Sequence, residues 1–261
     1  MDCVLKTEQC AVYDNVLEPA ELQELWKYMQ MAEYQSVHNQ GWQKVWRLHD
    51  GEVMKGPLIS CSVVEDPEYS EPVDKLEALH YPTQTIIDKL LEKTIEGADA
   101  HPELIGTKGT DWTRMIASPH LYPIGSGLSW HIDTGLYCGA FSFYCNPEWN
   151  AVNGGELLIS NADTSALVEQ LPSVVVFEVE DNEIKSLERK TIEPYLDNRF
   201  ENPILMDSGL GLYIATKPNR LVFIKEGAYH RVNPVSNAAG SIPRASVSGF
   251  FLKNRQNTEP E

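Results

Sequence analysis

Trp130-His131-Ile132-Asp133 is the stretch from which the fold and the chemistry of this chain can be worked out. Residues two positions apart on a β-strand point to the same face, so His131 and Asp133 would present an imidazole and a carboxylate side by side. A second histidine from a distant strand would complete a two-histidine, one-carboxylate set, which binds ferrous iron and leaves coordination positions open. His230 is the candidate for this third ligand.

The His-x-Asp pair alone does not decide the matter, because two polar residues at this spacing could also lie on a solvated strand face. Residues on both sides of the pair give further support for a binding site. Tyr122 precedes a Gly-Ser-Gly turn and would either pack in the core or donate its hydroxyl to an anion. In the last strand, Arg244 and Ser246 share one face, and an inward arginine beside a hydroxyl predicts a carboxylate bound by the guanidinium.

Composition excludes several classes of protein. The 261 residues include 38 Asp and Glu against 21 Lys and Arg, for a formal net charge of -17. This charge repels phosphate backbones and anionic lipid, so we expect neither nucleic acid nor membranes as partners. Five cysteines without CxxC spacing predict reduced thiols rather than a disulfide framework. No signal-peptide pattern and no apolar run of membrane-span length occur, so we expect a cytoplasmic protein.

Hydrophobic patterning predicts a mainly β protein with flanking helices. We expect one domain over residues 1–261, with a helical and strand support region at 1–111 and a β core at 112–252. The core would carry an insertion at about 161–210, which is either a lid or a solvated decoration. Helices are predicted after Glu18 and over 83–96, because apolar residues recur there every three or four positions. Short apolar runs between Gly, Pro and Asn predict strands. These are 113–117, 119–123, 128–133, 138–144, 155–160, 174–179, 211–215, 220–224, 228–233 and 244–252.

Several linked motifs occur in order over roughly residues 112–252, and together they resemble the iron(II)/2-oxoglutarate-dependent oxygenases, in particular the prolyl 4-hydroxylase-like branch. The motifs are Tyr122-x-x-Gly125-x-x-Leu128-x-x-His131-x-Asp133, Tyr144-x-Asn146-Pro147-x-Trp149 leading to Gly154-Gly155-Glu156-Leu157, Arg220-Leu221-Val222-Phe223 before His230-x-Val232-x-Pro234-Val235, and Arg244-x-Ser246-x-x-Gly249-Phe250-Phe251.

The resemblance implies a double-stranded β-helix, a jelly-roll or cupin-like core, with Fe(2+) held by His131, Asp133 and His230. It implies 2-oxoglutarate as cosubstrate, with its far carboxylate bound by Arg244, Ser246 and Tyr122. Dioxygen would be the second cosubstrate, 2-oxoglutarate would be decarboxylated to succinate, and ascorbate could stimulate turnover. The spacing from His230 to Arg244 is generous, so a neighbouring basic residue could serve as the anchor instead.

The carboxylate at 133 indicates the type of reaction. Related halogenases carry Gly or Ala at this position, which leaves room for chloride, so Asp133 favours hydroxylation of an unactivated C–H bond. The expected substrate is a small molecule, an amino acid or related metabolite. Alternatives are desaturation or cyclisation by the same oxidant in natural-product biosynthesis, a peptidyl or protein hydroxylase, and a non-catalytic β-barrel binding protein.

Residues for the substrate are harder to assign from sequence. The candidates are Trp130, Thr134, Tyr137 and Arg114, with Trp42 and Trp46 either lining the pocket or packing in the core. Aromatic and polar residues near a barrel mouth suit many ligands. The oligomeric state is left open, with a homodimer as one alternative.

Overall fold

The structure is a computed structural model that describes residues 1–38, 46–63, 79–133, 135–161, 176–180, 183–188, 205–207 and 209–254. The helices are α1 (Pro19–Met31), α2 (Ile86–Asp99) and α3 (Pro102–Ile105). The strands are β1 (Asp2–Lys6), β2 (Cys10–Asp14), β3 (Gln35–Ser36), β4 (Met54–Lys55), β5 (Ile59–Ser62), β6 (Leu79–His80), β7 (Trp112–Tyr122), β8 (Leu128–His131), β9 (Tyr137–Tyr144), β10 (Leu157–Ser160), β11 (Val176–Glu180), β12 (Glu183–Glu188), β13 (Gly211–Ile214), β14 (Leu221–Lys225), β15 (His230–Val232) and β16 (Arg244–Lys253).

Two sheets form the core, and the chain alternates between them. The major sheet runs β1-β2-β14-β9-β16-β7-β4-β3, with β5 also pairing β7, and the minor sheet runs β13-β10-β15-β8. Strands β7, β9, β14 and β16 therefore belong to the major sheet, while β8, β10, β13 and β15, which lie between them in sequence, belong to the minor one. This alternation is the double-stranded β-helix, and it confirms the predicted fold class.

Period-two alternation on the strands divides their side chains between two apolar clusters. On β14, Leu221 and Phe223 pack with the apolar faces of α1 and α2, which cover the outside of the major sheet. Val222 and Ile224 point the other way and pack with Leu157 and other residues of the minor sheet. The helices therefore support the major sheet from outside, as their amphipathic patterns predict.

Several predicted boundaries shift in the structure. The strands predicted at 113–117 and 119–123 are one continuous strand, β7, which pairs with β16 without interruption past Pro119. The carbonyl of Pro119 accepts a hydrogen bond from the N–H of Gly56. The ring nitrogen of Pro119 points to the same edge of β7 as this carbonyl, where it lies in the gap between β4 and β5. A proline is tolerated there because no ladder hydrogen bond is needed at that point.

Two other boundaries concern a helix and the strand of the metal motif. The helix predicted over 83–96 begins at Ile86, because the hydroxyl of Thr85 caps it by accepting from the N–H of Ile87 at 3.3 Å. The strand predicted over 128–133 ends at His131, so Asp133 lies in the following connection. Most of the predicted insertion at 161–210 lies outside the described residues; the described parts include the β11–β12 hairpin.

No helix in the described part of the chain is long and apolar enough to cross a membrane.

Replacing Phe251 with alanine is expected to lower the free energy of unfolding by about 3–5 kcal/mol, because it removes a large core side chain. Phe251 is fully buried, and its ring centroid lies 4.7 Å from that of Trp112. The control is Met31→Ala at a residue that is 83% exposed, where a change within about 0.5 kcal/mol is expected. Urea denaturation followed by circular dichroism measures both; equal effects would contradict the described core.

Candidate metal centre

Three potential metal ligands converge where β8 and β15 pair. The antiparallel register sets His131 directly opposite His230, so the two imidazoles face the same side of the minor sheet. Asp133 follows two residues later and turns back toward them. Its carboxylate oxygens lie 3.9 Å from Nε2 of His131 and 3.5 Å from Nε2 of His230. Within the described residues, this is the group of three that could hold a metal ion, with ligand atoms within 4.8 Å of one another.

Backbone hydrogen bonds orient both imidazoles. Nδ1 of His131 donates to the carbonyl of Ser129, and Nδ1 of His230 donates to the carbonyl of Ala228, each at 2.8 Å. Because the proton sits on Nδ1 in each ring, each Nε2 offers its lone pair toward the carboxylate of Asp133. This is the usual arrangement of histidine ligands, whose second nitrogen is held by a hydrogen-bond partner.

Burial shifts the pKa of two of these groups in the directions that disfavour charge. Burial and the neighbouring His230 lower the pKa of His131 well below its ordinary value, so this imidazole stays neutral and able to bind a cation. Burial raises the pKa of Asp133, although His230 opposes the shift. A divalent ion would compensate the buried carboxylate, so the donor set fits iron(II) in number, type and orientation.

A cavity of about 350 Å³ extends from this cluster between the two sheets. Alternate residues of β7 and β16 line its floor in register, so that Tyr122 lies opposite Arg244, Ser118 opposite Ser248, and Ile116 opposite Phe250. The floor therefore changes along the strands from a cationic end, through hydroxyl groups, to an apolar end. On the opposite wall, Leu128, Leu157 and Val232 come from the minor sheet.

Arg244 places a buried positive charge at one end of the cavity. Its side chain is only 1% exposed, and among the described residues no carboxylate lies within ion-pair distance of it. The guanidinium carbon lies 4.8 Å from the ring centroid of Tyr122 and 4.9 Å from that of Tyr144. A buried charge is costly unless an opposite charge compensates it, so this end of the cavity fits an anionic ligand.

Hydroxyl groups surround the guanidinium. Nη1 of Arg244 donates to Oγ of Ser246 at 3.3 Å, and Ser246 is fully buried. Burial raises the pKa of the Tyr122 and Tyr144 hydroxyls, although the charge of Arg244 opposes the shift. Both phenols therefore keep their protons and can donate hydrogen bonds to an anion. The structure thus brings together Arg244, Ser246 and Tyr122, as the sequence predicts.

The residues predicted for the substrate do not all line this cavity. Tyr137 does, with its ring stacked 4.1 Å from that of Phe250, and Trp46 does as well. Trp130 does not, because it alternates with His131 and points to the opposite face of β8, where it stacks on Tyr229 at 5.1 Å. The structure therefore does not bring Trp130 to this cavity, and a contact of Trp130 with the substrate stays a prediction.

The remaining substrate candidates have different outcomes. Arg114 lies on the same face of β7 as Ile116 and Tyr122, beyond the residues that line the cavity. Thr134 and Trp42 lie outside the described residues. Arg231, the basic residue next to His230, lies over the Trp130 ring on the far side of the minor sheet, so it does not compete with Arg244 as an anchor in this cavity.

Sequence reasoning missed several cavity residues. Tyr144 belongs to one of the family motifs but has no predicted role, and His120 and Ser118 have no predicted role either. Counting back in steps of two from Tyr122 would have found the last two, because they share its face of β7. Gly155 has no such signal: a side chain there would place its Cβ 2.5 Å from Cδ of Arg244, so the glycine makes room for the arginine.

Solved structures with the same fold include two prolyl hydroxylases. A prolyl-4-hydroxylase from Pseudomonas putida has a TM-score of 0.56 at 15% identity, covering 94% of this chain and 94% of its own. A prolyl hydroxylase from Trichoplax adhaerens, in complex with a peptide fragment of the hypoxia inducible factor oxygen degradation domain, has a TM-score of 0.50 at 14% identity, covering 94% and 84%. At these identities the likeness concerns the fold alone. No curated protein matches the sequence.

The family model of the 2OG-Fe(II) oxygenase superfamily matches residues 117–252, slightly more than half of the chain. The matched range begins within β7 and ends within β16, so it contains His131, Asp133, His230 and Arg244. Members of this superfamily are oxidoreductases that use Fe(2+), 2-oxoglutarate and dioxygen. This chain belongs to the 2OG-Fe(II) oxygenase superfamily, in agreement with the prolyl 4-hydroxylase-like resemblance of its sequence.

Proposed function

We propose that this protein is an iron(II)/2-oxoglutarate-dependent dioxygenase that hydroxylates an unactivated C–H bond of a small molecule, an amino acid or a related metabolite. One oxygen atom of dioxygen enters the product as a hydroxyl group, and the other enters the succinate that forms when 2-oxoglutarate loses carbon dioxide. The observation that carries the proposal is the cavity itself, which has three convergent metal ligands at one end and the buried Arg244 at the other.

His131, Asp133 and His230 would hold the iron, which when bound supplies the activation of dioxygen and the oxidation of the C–H bond. The protein contributes orientation to this step. The carbonyls of Ser129 and Ala228 hold both imidazoles with Nε2 toward the ion. Fixed ligands of this kind reduce the reorganisation needed during reaction.

Arg244, Ser246 and Tyr122 would hold the far carboxylate of 2-oxoglutarate. A guanidinium can donate two parallel hydrogen bonds to a carboxylate, and the Tyr122 phenol can add a third donor. In the same arrangement the Ser246 hydroxyl accepts a hydrogen bond from Nη1 of Arg244. The anchor would set how far the 2-oxo acid end of the cosubstrate reaches toward the metal ligands.

Asp133 supports hydroxylation rather than halogenation. Its carboxylate lies within 3.9 Å of the nearest imidazole nitrogens, in the place where a halogenase carries a residue without a ligand atom. A carboxylate in this position would occupy the coordination site that chloride needs. Desaturation and cyclisation use the same oxidant and differ in the fate of the substrate, so they remain the alternatives that product analysis distinguishes.

The size and lining of the cavity support a small substrate. Its volume of about 350 Å³ must hold 2-oxoglutarate and the reacting part of the substrate, and it lies at the low end of the usual range for small-molecule sites. Near the metal ligands the walls are apolar and aromatic, with Tyr137, Phe250 and Ile116 among them. These side chains would pack against the carbon skeleton at the point of oxidation. A peptidyl substrate, as in the Trichoplax adhaerens complex, is the second candidate.

Replacing either His131 or Asp133 with alanine is expected to weaken metal binding by more than about a hundredfold, because each change removes a direct ligand. Anaerobic addition of iron(II) and 2-oxoglutarate to the wild type should give the visible metal-to-ligand charge-transfer absorption, and both variants should lack it. His80→Ala, at an exposed histidine on β6, is the matched control and should retain it. Normal absorption in the two ligand variants would refute the assigned site.

Arg244→Ala is expected to raise the Kd for 2-oxoglutarate by at least about thirtyfold while iron binding persists, because the far carboxylate loses its buried counter-ion. Titration of the iron-loaded protein with 2-oxoglutarate under anaerobic conditions measures this. Arg244→Lys keeps the positive charge but lacks the planar guanidinium, so its Kd for 2-oxoglutarate should lie between those of the wild type and the alanine variant. An unchanged Kd in the alanine variant would move the anchor to another residue.

Substrate class is tested by succinate formation with iron(II), ascorbate and 2-oxoglutarate against two panels, one of amino acids and related metabolites and one of peptides. We expect a member of the first panel to stimulate succinate formation and to gain one oxygen atom, labelled when labelled dioxygen is used. If only peptides stimulate succinate formation, the substrate class is peptidyl and the proposed class is wrong. A product that loses hydrogen without gaining oxygen would indicate desaturation or cyclisation instead.

A further inference from the structure

The strand that carries His131 lies at an edge of the minor sheet. Within the described residues, β8 pairs on one side with β15, and its other side faces a short segment at Trp46–Gly51. This segment comes from the support region, about eighty residues earlier in the chain. Its neighbours on β8 are the residues that lead directly into the metal ligands.

Asp50 joins this segment to β8 through its side chain and to the residue just before β8 through its backbone. The carbonyl of Asp50 accepts from the N–H of Gly127 at 2.9 Å, and Oδ1 accepts from Oγ of Ser129 at 2.5 Å. Oδ2 accepts from the N–H of Arg47 at 2.7 Å, so both carboxylate oxygens are used. Asp50 is 5% exposed and Ser129 is 8% exposed, so water competes little for these bonds.

A histidine completes the contact at Ser129. Because the Ser129 hydroxyl donates to Asp50, Nε2 of His49 must be the donor in its 2.9 Å contact with the same oxygen. The Ser129 side chain is therefore held from two directions by two successive residues of the segment. Such a pair of bonds allows little rotation of the strand at this point.

Gly51 allows the close approach that these bonds require. It adopts a φ of 79°, and a Cβ at this position would lie 2.7 Å from Oγ and 3.0 Å from Cα of Ser126. A larger residue would separate the segment from β8. The backbone at Gly51 therefore permits the approach at which the side chains of Asp50 and His49 reach the Ser129 hydroxyl.

The contact between Asp50 and Ser129 is linked to the metal site by the carbonyl oxygen of Ser129. The carbonyl of Ser129, the residue that Asp50 holds, accepts the Nδ1 proton of His131 at 2.8 Å. The other imidazole has a different support, because His230 is held by Ala228, two residues before it on its own side of the β15 connection. Displacing Asp50 would therefore disturb one histidine ligand and leave the other in place.

We propose that Asp50 is a positioning residue for the metal ligand His131, and that it acts through Ser129. This inference rests on the proposed function, since it assigns Asp50 to the same metal site. Asp50 fixes the edge strand β8, and the Ser129 carbonyl then holds the His131 ring with Nε2 toward the ion. Metal affinity therefore depends on Asp50, although Asp50 contacts neither the metal nor the cosubstrate.

The test uses Co(II) as the probe, with Kd from titration and the visible absorption spectrum of bound Co(II) as a readout of coordination geometry. Asp50→Asn keeps the size of the side chain but loses one of two acceptor oxygens, and Ser129→Ala removes the hydroxyl. Each is expected to raise the Kd by about tenfold, with an altered spectrum. Ser129→Thr, which retains a hydroxyl, should restore affinity and spectrum toward those of the wild type.

Asp88→Asn is the matched control, because Asp88 accepts the backbone N–H groups of Thr83 and Gln84 near the start of α2 and has no link to the metal site. Circular dichroism and thermal unfolding without metal establish that each variant is folded. The double variant Asp50→Asn/Ser129→Ala should lose no more affinity than the stronger single variant, because both changes break the same path.

The outcomes separate this inference from the proposed function. Failure of the wild type to bind Co(II) would overturn the metal site and the positioning role with it. Wild-type binding together with Kd values for Asp50→Asn and Ser129→Ala equal to that of Asp88→Asn would overturn the positioning role alone. Additive losses in the double variant would show that Asp50 does not act through Ser129, and would overturn that path.

Discussion

The antiparallel pairing that places His131 opposite His230 is the contact on which the rest of the site depends. The two strands lie about a hundred residues apart in sequence and meet only because the chain passes repeatedly between the major and minor sheets. Apolar packing between the sheets provides the driving force for this arrangement. Once the strands are paired, Asp133 needs only a short turn to bring its carboxylate between the two imidazoles, and local backbone carbonyls complete their orientation.

Opposite charges at the two ends of one cavity define what the molecule can bind. Asp133, whose side chain is 14% exposed, lies at one end and the buried Arg244 at the other, and a ligand of opposite charge would offset the desolvation of each. A metal ion satisfies the first and a carboxylate satisfies the second, so a dicarboxylic cosubstrate that also binds the metal suits the space between them. Tyr122 and Tyr144 keep their protons beside Arg244 and add donors without adding charge. Under the proposed function, the remaining apolar wall near Tyr137 and Phe250 would contact the substrate.

Periodicity and motif order predicted the main elements well, because side-chain direction on a strand is a local property. His131, Arg244 and Ser246 were predicted on faces that the structure confirms, and the fold class followed from the same pattern. The predicted break in β7 was wrong because a neighbouring segment decides the outcome there. Pro119 does not break β7, because its ring nitrogen faces a gap between β4 and β5. Trp130 lies outside the cavity for a local reason, because the alternation that directs His131 into the cavity turns Trp130 to the opposite face of β8.

The sequence by itself determined the fold class, the identity of the three candidate metal ligands and the arginine, and membership of an oxygenase family, because these depend on residue type, spacing and order. Only the tertiary structure decided which residues surround them. The contact of Asp50 with Ser129 and the space that Gly155 leaves for Arg244 join segments about eighty or more residues apart. No local pattern carries such information, since these contacts arise only when packing of the two sheets brings remote backbone segments within hydrogen-bond or van der Waals distance.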